Sequence, residues 1–209
     1  MEGLVCTPAD PIAAYVFAHG AGAGMTHRFM ESVSERLAER SIATLRFNFP
    51  YMSAGRRFPD RPPVLKLALA SVIGFAVREF EGIPILGGGK SMGGRILADA
   101  LAEGSVSPLN GLIFFGYPLH PPGKETTSRA DLLDQVECPM LFLQGTRDKL
   151  ARIDLLETVV SRLPTATLHR IAEADHSFRV PKRTGLSESD VLNQLADTVL
   201  EWLPHGRSR

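Results

Sequence analysis

The sequence predicts an α/β fold, a three-layer α/β/α sandwich around a mostly parallel sheet. Three observations carry this expectation. Short, continuous apolar runs recur along the chain, as strands buried on both faces do. Segments of helical length separate them, an alternation that implies right-handed βαβ units. Glycine-rich turns follow two of the runs, residues 13–18 and residues 84–86, where a strand hands over to a helix.

Residues 13–18 read as the first strand, and the glycine-rich stretch 19–24 follows it. Thr26 is placed to cap the next helix, in which Phe29, Val33 and Leu37 share a stripe while Glu31, Glu35 and Arg36 lie elsewhere. Residues 42–47 are the next strand. Residues 48–63 read as loop, with Pro50, Pro59, Pro62, Pro63, Gly55 and several arginines, and residues 64–80 as a helix with a broad apolar face. A short strand at 84–86 runs into Gly87, Gly88 and Gly89, and a helix is expected at 92–103. Strands at 111–115, 140–144 and 166–171 then alternate with a short helix at 131–136 and a longer one at 154–163. The last helix is expected at 187–203, ahead of a polar, frayed tail at 205–209. No repeat, low-complexity tract or linker interrupts the pattern, so residues 1–209 read as one domain.

Composition narrows the function classes. Hydrophobic residues make up 44% and charged residues 22%, which excludes a wholly disordered chain. Lys and Arg total 23 and so do Asp and Glu, so no global field recruits nucleic acid or anionic lipid. Residues 1–11 lack the basic start and apolar run of a targeting signal. The longest apolar-rich run, 67–77, is interrupted by Ser71 and Gly74 and is too short to span a bilayer. The two cysteines, Cys6 and Cys138, are far apart and in no metal spacing. The expectation is a cytoplasmic protein, monomer or weak homodimer, with a small-molecule partner and no cofactor, metal, membrane or nucleic acid.

The informative segment runs from Gly87 to Arg95, after a strand and at the start of a helix. Gly89-Lys90-Ser91 suggests a phosphate loop, but that motif needs a further glycine five residues earlier, where this chain has Pro84. The alternative is a nucleophile elbow, Gly89-Lys90-Ser91-Met92-Gly93. There the chain turns so sharply that the serine takes a strained backbone and the residues two before and two after it must be small. Such a serine needs an acid and a base, in the chain order serine, acid, histidine. Asp148 follows the strand at 140–144, and His176 follows the strand at 166–171. Both fall on the carboxyl edge of the sheet, where open α/β sheets place their sites. Asp175 is a rival acid, but adjacent side chains point apart. Of the other histidines, His169 lies inside a strand and His205 in the tail, and His120 sits in a proline-rich loop. Donors for a developing oxyanion are expected from the backbone N–H of Met92 and of Ala21, with Gly22 as second choice. His19 is expected to brace the loop that carries Ala21.

These residues together resemble the α/β-hydrolase fold over almost the whole chain, and its small lid-less branch near dienelactone hydrolases. The runs Phe47-Asn48-Phe49-Pro50-Tyr51-Met52 and Gly89 to Arg95 are similar to a narrower group, the bacterial relatives of the KANSL-three/TEX-thirty hydrolase-like domain. The resemblance implies a catalytic triad of Ser91, Asp148 and His176 but names no substrate. Dienelactone hydrolases proper carry a cysteine nucleophile, so lactone specificity does not transfer to Ser91. Larger members insert a lid after the strand that follows the elbow helix, and residues 116–137 leave no room for one. Substrate contacts are expected from Gly22, Asn48, Tyr51, Lys90 and Tyr117, with Met52 and Arg147 as weaker hints. For Lys90 a solvated surface lysine is the competing reading, and Arg56, Arg57 and Arg61 read as a solvated loop. The expected function is a serine hydrolase of small esters, thioesters or amides. The alternative is a non-catalytic module of the same fold that binds a small molecule or a protein.

Overall fold

The structure, a computed structural model, describes residues 2–203, so the tail at 205–209 lies outside the described residues. Seven strands form one sheet: β1 (Gly3–Cys6), β2 (Ala13–Ala18), β3 (Ile42–Phe47), β4 (Ile85–Lys90), β5 (Gly111–Phe115), β6 (Met140–Gly145) and β7 (Ala166–Ile171). Their order across the sheet is β1-β3-β2-β4-β5-β6-β7. Every pairing is parallel except that of β1 with β3.

The pleat of the strands builds the three layers. Successive side chains of a strand point to opposite faces. Ala14, Val16 and Ala18 of β2 join one core, and Ala13, Tyr15 and Phe17 join the other. The first core is closed by α3 (Pro62–Glu79), α4 (Met92–Ala102) and α5 (Ile153–Val160), through Leu65, Leu69, Ile96, Leu97, Leu156 and Val159. The second is closed by α1 (Arg28–Ala38) and α6 (Glu188–Trp202), through Met30, Val33, Leu37, Val191, Leu195 and Val199. In β5, Leu112 and Phe114 face the first core while Ile113 and Phe115 face the second. Strands buried on both faces leave no polar alternation, which is why these runs read as continuous apolar segments.

Several local expectations are corrected. β1 was not expected; it is a short antiparallel edge strand whose side chains are largely exposed, so it carries no apolar signal. The stretch 48–63 is not all loop: Pro50 opens the short helix α2 (Pro50–Ser53), and α3 begins at Pro62. Proline fits a first helical position, where its missing N–H would have no partner anyway. His27, not Thr26, caps α1, accepting the Phe29 N–H on its ring Nδ1 at 3.3 Å. The short helix expected at 131–136 is instead two 3-10 turns, Ser128–Ala130 and Leu133–Gln135. At α6, Ser187 and Asp190 close a capping box. Among the described residues no helix is long and apolar enough to cross a membrane.

Candidate active site

β4 ends at Lys90 and α4 begins at Met92, leaving Ser91 alone to turn the chain. Its backbone is at φ 51° and ψ −119°. A non-glycine residue there stores roughly 1–3 kcal/mol of strain, which the surroundings must hold in place. Close approach supplies the hold. A Cβ on Gly89 would lie 2.3 Å from the Ala18 carbonyl oxygen, and one on Gly93 would lie 2.6 Å from the carbonyl oxygens of both Ala18 and His19. The end of β2 thus packs directly on the turn. Gly93→Val is expected to destabilise the protein by about 3 kcal/mol or more, since the clash is with backbone that cannot rotate away. A urea melt with an unchanged midpoint would contradict this.

Asp148 lies just past β6 and His176 just past β7, and the structure brings both to Ser91. Ser91 Oγ and His176 Nε2 are 2.9 Å apart, and His176 Nδ1 and Asp148 Oδ2 are 2.6 Å apart. The Asp148 side chain is fully buried. Its Oδ1 accepts the Leu150 N–H at 2.7 Å, and its Oδ2 also accepts from Gln144 Nε2 at 2.6 Å. A buried carboxylate surrounded by donors is satisfied as the anion. An ionised Asp148 can only accept, so the proton of the neutral imidazole resides on Nδ1. Nε2 then carries the free lone pair, aimed at the Ser91 hydroxyl. Gln144 holds its amide the right way round because its Oε1 accepts the Tyr117 N–H at 2.9 Å. Sequence reasoning missed this role; the only signal was a polar residue at the end of an apolar strand. Asp175 is turned elsewhere: its Oδ1 accepts the N–H groups of Ser177 at 2.8 Å and Arg179 at 2.9 Å, and so shapes the loop that carries His176.

The stretch 19–24 is braced from behind. His19 is buried; its Nδ1–H donates to Gly20 O at 2.8 Å and its Nε2 accepts the Phe49 N–H at 3.1 Å. Burial pushes its pKa down, against the pull of the Gly20 hydrogen bond, so it is a neutral strut. The N–H groups of Ala21 and Met92 find no acceptor among the described residues. Gly22 differs, because its N–H is directed at the Tyr51 hydroxyl, 3.4 Å away.

A cleft of about 750 Å³ opens at Ser91 and His176. Beside Ala21, Lys90, Ser91 and His176, much of its wall comes from places the sequence did not single out. Phe29, at the start of α1, stacks on Phe178 of the histidine loop, with ring centroids 5.6 Å apart and planes 8° from parallel. Val180, Leu186, Val191 and Leu192 continue the apolar wall, and Arg28, Arg179 and Glu188 line the same space. Phe29 reads in the sequence as part of the apolar stripe of its helix, and only the fold shows that the face it shares with Phe178 opens to Ser91.

The expected substrate contacts are largely redirected. Asn48 accepts the Met25 N–H on Oδ1 at 2.9 Å and so holds the turn, as buried Tyr51 does from the other side. Tyr117 is buried in the first core and its hydroxyl donates to Arg129 O; burial pushes its pKa well up. Neither tyrosine lines the cleft, and neither do Asn48, Gly22, Met52 or Arg147. The direction of these side chains was not readable from the sequence. Lys90 does line the cleft, but it is not a solvated lysine: its Nζ donates to the His176 carbonyl oxygen at 2.6 Å. Arg56, Arg57 and Arg61 are exposed, and Arg56 pairs with Asp60 at 2.7 Å.

Comparison with known proteins agrees with this architecture. Residues 11–204 match the family model described as an alpha/beta hydrolase domain. Among solved structures, an alpha-beta serine hydrolase homologue from Coxiella burnetii superposes with a TM-score of 0.75 at 18% identity, over 95% of this chain and 89% of that one. An α/β serine hydrolase without a lid from Xanthomonas campestris gives 0.74 at 21% identity, over 98% and 90%. A dienelactone hydrolase from Anabaena variabilis gives 0.71 at 20% identity, over 96% and 89%. At such identities the likeness speaks for the fold.

Proposed function

This chain belongs to the alpha/beta hydrolase domain family, and from that premise we propose that it is a serine hydrolase of small esters, thioesters or amides. The observation that carries the reading is the unbroken relay from Asp148 Oδ2 through both nitrogens of His176 to Ser91 Oγ, at 2.6 and 2.9 Å. In this reading His176 Nε2 removes the hydroxyl proton as Ser91 Oγ attacks the acyl carbon. The N–H groups of Ala21 and Met92 receive the negative charge that develops on the carbonyl oxygen. The imidazolium, steadied by Asp148, hands its proton to the leaving group, and an acyl-enzyme remains on Ser91. Water enters, loses a proton to His176, and attacks the acyl carbon; the acid departs and Oγ recovers its proton.

The neighbours described as serine hydrolases, one of them without a lid, support this class. A narrower kinship with bacterial relatives of the KANSL-three/TEX-thirty domain rests on the runs at 47–52 and 89–95 and adds no substrate. All the residues invoked come from one chain, so the reading holds for a monomer or a weak homodimer alike. A cytoplasmic setting belongs to the same proposal, in keeping with free cysteines at Cys6 and Cys138.

The test is labelling with a fluorophosphonate followed by a panel of acyl esters. Modification of one serine, with turnover of the esters, supports the reading; an inert protein favours the non-catalytic binding module. Between β5 and β6 the chain forms only 3-10 turns, so this segment carries no helical lid. Short acyl esters are therefore expected to be turned over at least about tenfold faster than long-chain ones, the discrimination a few methylenes confer. No activation at a lipid interface is expected. A preference for long chains that appears only on micelles would contradict it.

A further inference from the structure

We propose that Lys90 is a positioning residue for His176: its ammonium ties the end of β4 to the backbone of the histidine loop and so holds the imidazole against Ser91. This rests on the serine-hydrolase reading above.

Three segments converge on this one ammonium: the histidine loop, the start of α1 and the chain leaving β5. Nζ donates to the His176 carbonyl oxygen at 2.6 Å, on the very residue whose ring must stay aligned. It lies 5.9 Å from the Phe29 ring centroid and 5.5 Å from that of Phe178, within reach of both π faces. Phe178 itself has φ 62°, an outlier for a bulky residue. The turn around Asp175 imposes it: Phe178 N–H donates to Asp175 O at 2.9 Å, and Asp175 N–H to Arg179 O at 3.0 Å. On the third side is Gly116, at φ 72°, where a Cβ would be 3.1 Å from Lys90 Nζ and 3.4 Å from His176 Nδ1. The chain leaving β5 is bare at the one point where the ammonium and the imidazole need the space.

The energetics point the same way. Burial brings the Lys90 pKa down from 10.5 to about 8, with Asp148 and Asp175 pulling it back up. Below that pH the folded protein therefore carries a charge that the fold would be more stable without. An apolar side chain of similar length would relieve the cost, and a stability cost one residue from a nucleophile marks a group kept for function. Above pH 8 the folded state sheds the proton while the unfolded chain holds it up to about 10.5, so the penalty fades as pH rises through that window. The other charged groups around the cleft are Arg28, paired with Glu188 at 3.0 Å, and Arg179.

The experiment compares wild type, Lys90→Met and Lys90→Gln in fluorophosphonate labelling rate at Ser91, kcat and KM on a short ester, and Tm at pH 7 and pH 10. Misplacing a catalytic group by about 1 Å costs on the order of 100-fold, so Lys90→Met should label and turn over about 10- to 100-fold more slowly, with KM within about threefold. Its Tm at pH 7 should exceed that of wild type by about 3–6 °C, and the gap should shrink at pH 10. A loss of rate accompanied by a lower Tm at pH 7 would make Lys90 a framework residue and overturn the proposal. Labelling of Lys90→Met at the wild-type rate would overturn it alone. An unlabelled wild-type protein would instead remove the serine-hydrolase reading, and this proposal with it. If Lys90→Met does not fold, Lys90→Gln carries the same comparison.

Discussion

Replacing Ser91 with alanine is expected to abolish fluorophosphonate labelling and to cut kcat by about a million-fold, the cost of losing the nucleophile in a well-characterised serine protease. The geometry makes the loss nearly complete. Ser91 Oγ is the hydroxyl within hydrogen-bond reach of His176 Nε2, at 2.9 Å, and without it the imidazole lone pair faces an empty position. The N–H groups of Ala21 and Met92 would remain, and they sustain only the residual rate that preorganised donors and binding provide. The fold should be undisturbed. Alanine takes the same φ of 51° at no greater cost than serine, and Gly89 and Gly93 still admit the packing of β2 on the turn. Unchanged urea unfolding together with lost labelling is the expected pair of results. A label that persists on another serine in Ser91→Ala would place the nucleophile elsewhere.

How much of this was legible in the sequence follows from which features are local. β2, β5 and β6 were readable because burial on both faces makes a strand almost wholly apolar, while β3 and the edge strand β7 carry polar residues and were readable from their place between helical segments. β1 was not, because an edge strand of four residues with exposed side chains owes its existence to pairing with β3. Ser91 could be singled out by the glycine-flanked turn between strand and helix, and Asp148 and His176 by chain order and by strand ends that share one edge of a parallel sheet. What chain order cannot give is the direction of a side chain. Asn48, Tyr51 and Tyr117 stand at the expected edge yet point inward, to brace the turn at 20–25 or to pack in the core. Gln144 was overlooked for the same reason. As an isolated letter it is a polar end to a strand; in the fold its amide bridges Tyr117 N–H and the Asp148 carboxylate. The cleft walls were the least legible part, since Phe29 and Phe178 lie far apart in the chain and meet only when α1 and the loop after β7 are both in place.

The contrast between the two neighbouring acids is the sharpest remaining test. Asp148→Asn should lower kcat/KM by about ten-thousand-fold, the loss seen for that change in the serine-protease template. Asp148 Oδ2 faces two donors, Gln144 Nε2 and His176 Nδ1, while Oδ1 faces a third, the Leu150 N–H. An amide offers only one acceptor oxygen to these three. If its oxygen turns to Leu150, its NH2 faces His176 and drives the imidazole proton from Nδ1 to Nε2, the position that must accept from Ser91. If its oxygen turns to His176, the tautomer survives but the Leu150 N–H is left facing a donor, at a cost of about 1–3 kcal/mol, and no anion steadies the imidazolium. Either orientation disables the base, and the first is the more damaging. Asp175→Asn should cost less than about tenfold, because an asparagine oxygen can accept the Ser177 and Arg179 N–H groups as the carboxylate does. The measurement is kcat/KM for both variants at one pH, on one short ester. If Asp175→Asn proves the more damaging, Asp148 is not the partner of His176 in the reaction, whatever its distance from the ring.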